Sequence, residues 1–368
     1  EFDAVNLGQG FPDGEGPDDL RAAAARYLIE GPNQYPPMAG VPALRQALAE
    51  HEARFYGLTV DWATETLVTS GGTEALTASI MALIEPGDEA ILIEPAYDCY
   101  RPIIEAMGGT VRPVRLTPPD WTLPVAELRA AVTPRTKLLM LNSPMNPIGK
   151  VFTRTELDAI ADVAVRQDAY VICDEVYEHL VFTGHTHIPL ITLPGMDART
   201  VRVGSAGKTF SLTGWKVGYA IARAPLLSVI AKAHQFITFT TPPALQRAVA
   251  DGLAKDDGYF ADLAAGLERR RDILGGMLEQ AGLQVLPSEG TYFITADIGA
   301  LAGGRTDYAF CRWLVETARV AALPLSPFYV DPSTAPQSLI RFCFCKDDAV
   351  LAEAGRRLAE LSGRSSSS

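Results

Sequence analysis

TVRVGSAGKTFS, residues 200–211, passes from an apolar run into small residues that surround one lysine, Lys208. An apolar run followed by Gly and Ser predicts a strand that ends in a turn. Small neighbours leave room for a bulky planar cofactor, and an activated lysine amine is the nucleophile of imine chemistry. Pyridoxal 5'-phosphate is the usual cofactor of such a lysine. A surface lysine in a Gly/Ser turn is the competing interpretation.

A carboxylate follows a second apolar run in the same way. In YVICDEVY, residues 170–177, Asp174 comes directly after the strand-like residues 170–173. The ring nitrogen of pyridoxal phosphate requires a carboxylate partner, and Asp174 is the candidate for it. A capping carboxylate is the alternative interpretation of Asp174.

Short apolar runs alternate with helical patterns from about residue 67. The predicted strands are residues 67–69, 90–93, 111–116, 137–141, 170–173, 200–203 and 217–221. Helices are predicted at residues 73–84 and after Thr153, which forms a capping-box pattern with Glu156. This alternation predicts an α/β fold with a mostly parallel central sheet sandwiched by helices.

Four motifs fall where predicted strands end. They are residues 70–72, 142–146, 174–177 and 205–208. Ligands of open α/β sheets bind at the carboxyl ends of the strands. We therefore expect these motifs to meet at one site.

The pattern changes after about residue 256. A long charged helix is predicted at residues 259–281 and further helices at 307–318 and 347–361, with strands at 284–286, 292–297, 321–325 and 339–345. The Gly/Pro-rich segment through Tyr35 is expected to pack near the junction. We predict a large cofactor-binding domain, residues 36–255, and a smaller α+β domain built from residues 1–35 and 256–368.

Composition narrows the function classes. The 368 residues are 48% hydrophobic, carry a net charge of −12 and show no basic stripe, which weighs against a nucleic-acid partner. No apolar run approaches the roughly 20 residues that a membrane helix needs. The five scattered cysteines indicate free thiols in a cytoplasmic setting, and no cluster has metal-ligand spacing. Residues 365–368 form a low-complexity serine tail.

Longer motifs carry a family resemblance. They are GQGFPD (residues 8–13), NQY (33–35), NSPMNPIGK (142–150), DEVY (174–177), SAGK (205–208), GWK (214–216) and IRFCF (340–344). In order and spacing these resemble fold-type I, class I/II pyridoxal-phosphate-dependent aminotransferases. More narrowly they are similar to the group of kynurenine aminotransferase, glutamine transaminase K and methionine aminotransferase.

The resemblance implies a role toward the cofactor ring for five residues. Lys208 would bind the cofactor aldehyde and move the substrate α-proton, and Asp174 would pair with the ring nitrogen. Asn146 and Tyr177 would hydrogen-bond the phenolic oxygen, and Tyr97 would stack on the ring. Taken alone, Asn146 before a proline is a typical turn residue, and Tyr97 a typical core residue.

The resemblance also implies a phosphate site. Gly72 and Thr73 begin a helix after a strand, where backbone amides and the helix dipole bind anions. Ser205 and Lys216 would complete this site. Tyr35 would reach the phosphate of a neighbouring subunit, so a homodimer with shared active sites is implied.

Substrate contacts are implied at four positions. Arg341 would bind the α-carboxylate through two parallel hydrogen bonds, helped by Asn146, and Gly10 would close over the same carboxylate. Phe239 would lie near the substrate entrance. For Arg341, a structural ion pair is the alternative, because a buried arginine is costly without a partner.

Three functions compete at this stage. The leading hypothesis is an aminotransferase that moves the amino group of an aromatic or sulfur-containing amino acid to a 2-oxo acid. The second is a pyridoxal-phosphate-dependent β-lyase acting on cysteine S-conjugates. The third is a non-catalytic sensor domain of the same fold, which would need a DNA-binding module that the sequence does not show.

Overall fold

The structure is a computed structural model that describes residues 2–299 and 301–362. Its helices are α1 (Asp18–Glu30), α2 (Pro42–Tyr56), α3 (Gly72–Leu83), α4 (Tyr100–Ala106), α5 (Val125–Ala131), α6 (Arg154–Gln167), α7 (Ala206–Thr209), α8 (Ala224–Ile237), α9 (Pro243–Leu253), α10 (Asp257–Gln280), α11 (Asp307–Ala318) and α12 (Asp348–Ser362). The predicted serine tail, residues 365–368, lies outside the described residues.

The strands form three sheets. They are β1 (Val5–Asn6), β2 (Thr66–Thr69), β3 (Glu89–Glu94), β4 (Thr110–Arg115), β5 (Thr136–Asn142), β6 (Tyr170–Asp174), β7 (Thr200–Ser205), β8 (Gly218–Ile221), β9 (Gln284–Val285), β10 (Phe293–Asp297), β11 (Val320–Ala321), β12 (Leu323–Pro324) and β13 (Leu339–Cys343). The seven-stranded central sheet has the order β2-β8-β7-β6-β5-β3-β4. Of the described strands in this sheet, only β8 runs opposite to the other six. The predicted mostly parallel sheet is confirmed.

Both faces of the central sheet are buried, which explains why its strands are continuous apolar runs instead of alternating patterns. Successive residues of β5 enter different cores: Leu139 packs in one cluster with residues of α6, and Met140 packs in another with residues of α3. Helices on both sides therefore fix the sheet, as the sequence predicted.

Helix α6 begins as its sequence predicts. Thr153 Oγ1 accepts a hydrogen bond from the backbone N–H of Glu156, and the Glu156 carboxylate accepts one from the backbone N–H of Thr153. This reciprocal capping satisfies two amide donors that the first turn of a helix cannot pair internally.

The prediction of a single strand at residues 321–325 is wrong. The chain forms two short strands instead, with β11 pairing in parallel with β1 and β12 pairing antiparallel with β13. The partner of β11 comes from the N-terminus, about 300 residues away, so no local pattern could reveal the division. Strand β12 contains Pro324 and lies at a sheet edge, where proline costs no ladder hydrogen bond.

The N-terminal segment contains a helix that the sequence pattern did not predict. Helix α1 buries Leu20 and Ala24 and places Asp18 and Asp19 in its first turn, where the helix dipole favours acidic side chains. It packs against α9, while β1 pairs with β11. We propose the division into residues 36–255 and residues 1–35 with 256–368, with α1 as a further contact between the two parts.

The cysteines form no disulfide. Cys99 is partly exposed and the other four are buried. Cys343 and Cys345 lie with their sulfur atoms 3.1 Å apart. Within the described ranges, no helix has the length and apolar character required to cross a bilayer.

Candidate active site

A cavity of about 330 Å³ lies at the carboxyl ends of the central strands. It collects most of the residues singled out from the sequence: Gly10, Gly72, Thr73, Tyr97, Asn146, Asp174, Tyr177, Ser205, Lys208, Lys216 and Arg341. The carboxyl ends of β5, β6 and β7 supply the central members, whereas the N-terminal loop supplies Gly10 and β13 supplies Arg341, more than 300 residues later. Tyr35 and Phe239 do not line it in this chain.

One end of the cavity is built to receive an anion. Gly71 precedes α3 with a φ of 84°, a conformation that favours glycine, and Gly72 is the first residue of the helix. A Cβ atom built on Gly71 would lie 3.2 Å from Lys216 Nζ, so the lysine amine lies directly over this turn. Thr73 and Ser205 line the same end. Helix N-terminal amides, a hydroxyl and an ammonium are a fitting set of donors for a phosphate.

Asp174 ends β6 as a buried carboxylate that accepts a hydrogen bond of 2.5 Å from Tyr100 Oη. Burial raises the pKa of the Asp174 carboxyl to about 6, while the bond from Tyr100 and the charge of Lys208 lower it. A carboxyl of this kind is suited to face a protonated ring nitrogen. No sequence motif points to Tyr100, although it lies three residues after Tyr97, at the start of α4.

Lys208 belongs to a short hydrogen-bonded chain. Its Nζ donates to Tyr292 Oη at 2.9 Å, and Tyr292 Oη donates to the backbone oxygen of Gly10 at 2.8 Å. Burial lowers the pKa of the Lys208 amine, which increases its neutral, nucleophilic fraction. The sequence predicts Tyr292 only as the first residue of a strand, because its partner Gly10 is distant in sequence.

Arg341 presents an incompletely paired guanidinium to the cavity. Its Nη1 donates to Asn146 Oδ1 at 2.7 Å and its Nη2 to the Gly8 backbone oxygen at 3.0 Å, but its buried Nε has no partner. The Phe293 ring lies 4.0 Å below the guanidinium carbon. Among the residues that the structure describes, Arg341 forms no salt bridge, so the alternative of a structural ion pair receives no support.

The N-terminal loop closes one side of the cavity. A Cβ atom at Gly10 would lie 2.6 Å from the Phe293 ring, so only glycine permits this close packing. Lys346 Nζ holds the same loop through the Phe11 backbone oxygen and the Asp13 carboxylate, at 2.9 and 3.0 Å. The loop is therefore fixed at three points, by Tyr292, Arg341 and Lys346.

Aromatic and amide groups form the remaining wall. The Tyr177 ring packs edge-on against Tyr292 with centroids 5.2 Å apart, and burial raises the pKa of its hydroxyl. The Asn146 backbone N–H is fixed by Asn142 Oδ1 at 2.7 Å. Together with Tyr97, these groups offer a flat, polar-edged slot.

Tyr35 and Phe239 lie together on the outer surface. Their ring centroids are 5.5 Å apart, and Tyr35 is 83% exposed. One chain therefore does not bring these two predicted residues to its own cavity.

The charges of the cavity favour an anionic ligand. Three basic side chains, Lys208, Lys216 and Arg341, face one carboxylate, Asp174. An anion at each end would balance them, one beside Lys216 and the other beside Arg341.

The comparisons with known proteins agree with this geometry. A family model described as aminotransferase class I and II matches residues 3–358. Methionine aminotransferase of Escherichia coli is 41% identical, over 98% of this chain and 93% of its own length. The probable N-succinyldiaminopimelate aminotransferase of Mycobacterium tuberculosis is 45% identical, over the same shares. Kynurenine–oxoglutarate transaminase 3 of Mus musculus is 40% identical, over 94% of this chain and 82% of its own length.

Solved structures superpose closely on this chain. A crystal structure of YbdL from Escherichia coli, whose report identifies a methionine aminotransferase function, gives a TM-score of 0.94 at 42% identity. The N-succinyldiaminopimelate aminotransferase structure from Mycobacterium tuberculosis gives 0.94 at 45% identity. Each alignment covers 97% of this chain and 93% of the other.

Replacing Tyr292 by Phe tests the link between Lys208 and the N-terminal loop. The change removes the hydroxyl that bridges Lys208 Nζ and Gly10 O, and the neutral hydrogen bond to Gly10 O that holds the loop contributes about 0.5–1.5 kcal/mol. We expect amide hydrogen exchange in residues 8–13 to accelerate about two- to tenfold, since each 1.4 kcal/mol is a factor of ten. Tyr329→Phe is the matched control, because the buried Tyr329 hydroxyl has no partner. Equal exchange rates in both variants would contradict the bridge.

Proposed function

We propose a specific reaction for this chain, which belongs to the aminotransferase class I and II family and is a pyridoxal-phosphate-dependent transaminase. The amino donor is an aromatic or sulfur-containing L-amino acid of the methionine, phenylalanine, kynurenine or glutamine type. The acceptor is a 2-oxo acid, and the two substrates react in turn by a ping-pong mechanism. Relatives named methionine aminotransferase and kynurenine–oxoglutarate transaminase support this substrate class.

The main support for the proposal is that Arg341 and Lys208 line the same cavity. Arg341 has a buried Nε without a hydrogen-bond partner and forms no salt bridge with any carboxylate of the described residues. A bound α-carboxylate would satisfy it and turn the α-carbon toward the lysine amine. An α-amino acid carries both an acidic group for Arg341 and a transferable amine next to the α-carbon.

The residues of the cavity fit the cofactor. Gly72, Thr73, Ser205 and Lys216 would hold its phosphate, because helix-terminal amides and an ammonium meet there. Glycine at position 71 leaves the turn open, since a Cβ would press against Lys216. Pyridoxal phosphate supplies an electron sink that stabilises negative charge at the substrate α-carbon.

Four other side chains would orient the cofactor ring. Asp174 would pair with the ring nitrogen, and Tyr100 holds its carboxylate in place at 2.5 Å. Asn146 and Tyr177 would bind the ring hydroxyl, and Tyr97 would cover one ring face. Each of these groups lines the cavity or directly contacts a residue that does.

Proton movement falls to Lys208. Its amine has a lowered pKa and so can take up the proton that the substrate α-carbon loses and pass it on, instead of giving it back, in the next step. Tyr292 fixes the position of Nζ at 2.9 Å. Closure of the N-terminal loop over Arg341 and Tyr292 excludes water, which strengthens the electrostatic contacts inside.

A donor panel with a Lys208→Ala control tests the reaction. With 2-oxoglutarate as acceptor, methionine, phenylalanine, kynurenine and glutamine should each give glutamate and the matching 2-oxo acid, measured by mass spectrometry. Lys208→Ala should lower turnover by orders of magnitude, because the nucleophile and the base are both lost. Borohydride should attach the cofactor to Lys208 in the wild-type protein.

Other outcomes of the panel would redirect the proposal. Strong preference for N-succinyldiaminopimelate over all four donors would replace the substrate class. Pyruvate and ammonia released from a cysteine S-conjugate, without glutamate formation from any donor, would identify a β-lyase. Attachment of the cofactor to another lysine would remove Lys208 from its role.

Arg341→Lys tests carboxylate binding. A lysine ammonium cannot reproduce the planar two-bond contact of a guanidinium. We expect KM for amino acids to rise about 10–100-fold, the equivalent of a charged hydrogen bond worth 1.5–3 kcal/mol. An amine donor that lacks the α-carboxylate should be used equally well by wild type and variant. Equal damage for both donors would make Arg341 structural.

We also propose a cytoplasmic homodimer with shared active sites. Tyr35 and Phe239 are exposed at 83% and 37%, and Phe236, three residues before Phe239, is 84% exposed. Aromatic groups exposed together mark an interaction surface. Tyr35 would then reach the phosphate end of the partner's cavity. The absence of disulfides among all five cysteines supports a reducing compartment.

Mixing inactive protomers tests the shared sites. If Tyr35→Phe is severely impaired, its heterodimer with Lys208→Ala holds one site with both defects and one with neither, by the symmetry of a two-fold pair. We expect each heterodimer to recover up to about half the activity of a wild-type dimer. No recovery after proven subunit exchange, or a fully active monomer in sedimentation, would contradict the shared site.

A further inference from the structure

Side chains at the end of β6 and directly after it divide into two sets, one in the cavity and one behind it. Asp174, Val176 and Tyr177 line the cavity, whereas Glu175 and Glu178 are buried outside it. Glu175 and Glu178 are 2% and 5% exposed. Two acidic residues hidden behind two functional ones require a compensating charge, because an unpaired buried carboxylate is costly.

Arg202 supplies that charge from the next strand. It lies on β7, is 1% exposed, and its register partner across the sheet is Cys173, one residue before Asp174. Nε donates to Glu175 Oε2 at 2.5 Å, Nη2 donates to Glu178, and Nη1 donates to Glu52 of α2. One guanidinium therefore joins a strand, a helix and both acidic residues of the segment.

Each of the two carboxylates is also held from a second side. Tyr219 and Tyr56 hydroxyls donate to the two Glu178 oxygens at 2.9 and 2.5 Å. The Leu190 backbone N–H lies 3.4 Å from Glu175 Oε1, and His187 Nε2 lies 3.2 Å from Glu175 Oε2. The orientation of residues 174–178 is thereby fixed from behind.

The same region brings potential metal ligands together, but its chemistry opposes a cation. Atoms of His51, Glu178 and His179 lie within 4.8 Å of one another. Both Glu178 oxygens are already bonded, one of them by the cationic Arg202. His51 and His179 share a hydrogen bond of 2.7 Å between their Nε2 atoms. The cluster is better explained as a hydrogen-bonded network.

Arg202 is the one permanent positive charge in this network. Burial lowers the pKa of His51 to about 2 and that of His179 to about 3, so both imidazoles are neutral near pH 7. Burial raises the pKa of Glu178, as expected where three carboxylates share one guanidinium. Without Arg202, the carboxylates would have to take up protons or move toward water.

We propose that Arg202 is a positioning residue for the transaminase reaction: by anchoring Glu175 and Glu178 from behind, its guanidinium holds Asp174 and Tyr177 in the orientation that the cofactor ring requires. The proposal rests on the roles proposed for Asp174 and Tyr177. Arg202, Glu175 and Glu178 are absent from the lining of the cavity and would act through Asp174 and Tyr177.

Two substitutions at position 202 separate charge from geometry. Arg202→Met removes the cation, and Arg202→Lys keeps a cation but cannot span three carboxylates. In Arg202→Met/Glu52→Arg a guanidinium approaches from α2, since Glu52 and Arg202 meet end to end. Arg45→Met is the control, because Arg45 is a buried arginine whose hydrogen bonds go to Ala63 and Thr66.

Three measurements are made on each folded variant. They are the melting temperature of the apoprotein, the affinity of the apoprotein for pyridoxal phosphate from tryptophan fluorescence, and the pH midpoint of the visible absorption of the holoenzyme. For Arg202→Met and Arg202→Lys we expect cofactor affinity to fall about tenfold or more, since breaking a buried ion pair is strongly destabilising. The absorption midpoint should rise by about one pH unit, the equivalent of about 1.4 kcal/mol, as the Tyr177 hydroxyl bond is lost. The double variant Arg202→Met/Glu52→Arg should recover part of the lost cofactor affinity and reverse part of the shift in the absorption midpoint.

The outcomes distinguish positioning from mere stability. A lower melting temperature with unchanged affinity and midpoint, as expected for Arg45→Met, would overturn the proposal. If Arg202→Met does not fold, the proposal is tested on Arg202→Lys and on the double variant. Cofactor affinity and an absorption midpoint equal to those of wild type in Arg202→Lys would then overturn the proposal too. Asp174→Asn serves as the reference: an unchanged affinity and midpoint there would reject the proposed role of Asp174 instead.

Discussion

Parallel pairing of β5, β6 and β7 is the constraint on which the site depends. Hydrogen bonds between these strands align Asn142 with Asp174, and Asp174 with Val203, at the carboxyl ends of the strands. Each strand then continues into a loop or helix that carries a side chain lining the cavity: Asn146, Tyr177 or Lys208. Because both faces of the sheet are buried under helices, the strands can present polar groups to a ligand at their carboxyl ends.

Buried charged side chains form two groups near the carboxyl ends of these strands, one in the cavity and one behind it. In the cavity, Lys208, Lys216 and Arg341 exceed the negative charge of Asp174, which prepares the site for anionic groups. Behind the cavity the balance is reversed, with three carboxylates around Arg202. The cavity is left to be completed by ligands, whereas the rear network is completed by the protein itself. This difference fits the proposed roles, ligand binding for the cavity residues and positioning for Arg202.

Local sequence patterns predicted elements where one segment carries its own signal. The capping box at Thr153 and Glu156 and the helix at residues 307–318 were predicted at the observed positions. The patterns failed where the decisive partner is remote. The run 321–325 divides because the first half pairs with β1, and Tyr292 gains its place from contacts with Lys208 and Gly10.

The sequence by itself determined the α/β fold, the family and the cofactor, because apolar periodicity and motifs such as SAGK are local and lie in order along the chain. Only the tertiary structure decided which side chains complete these motifs. Tyr100, Tyr292 and Arg202 carry no motif of their own, and each acts through a hydrogen bond to a residue that is distant in sequence. Tertiary folding creates such bonds when it brings separate elements within about 3 Å, and sequence spacing does not encode that distance.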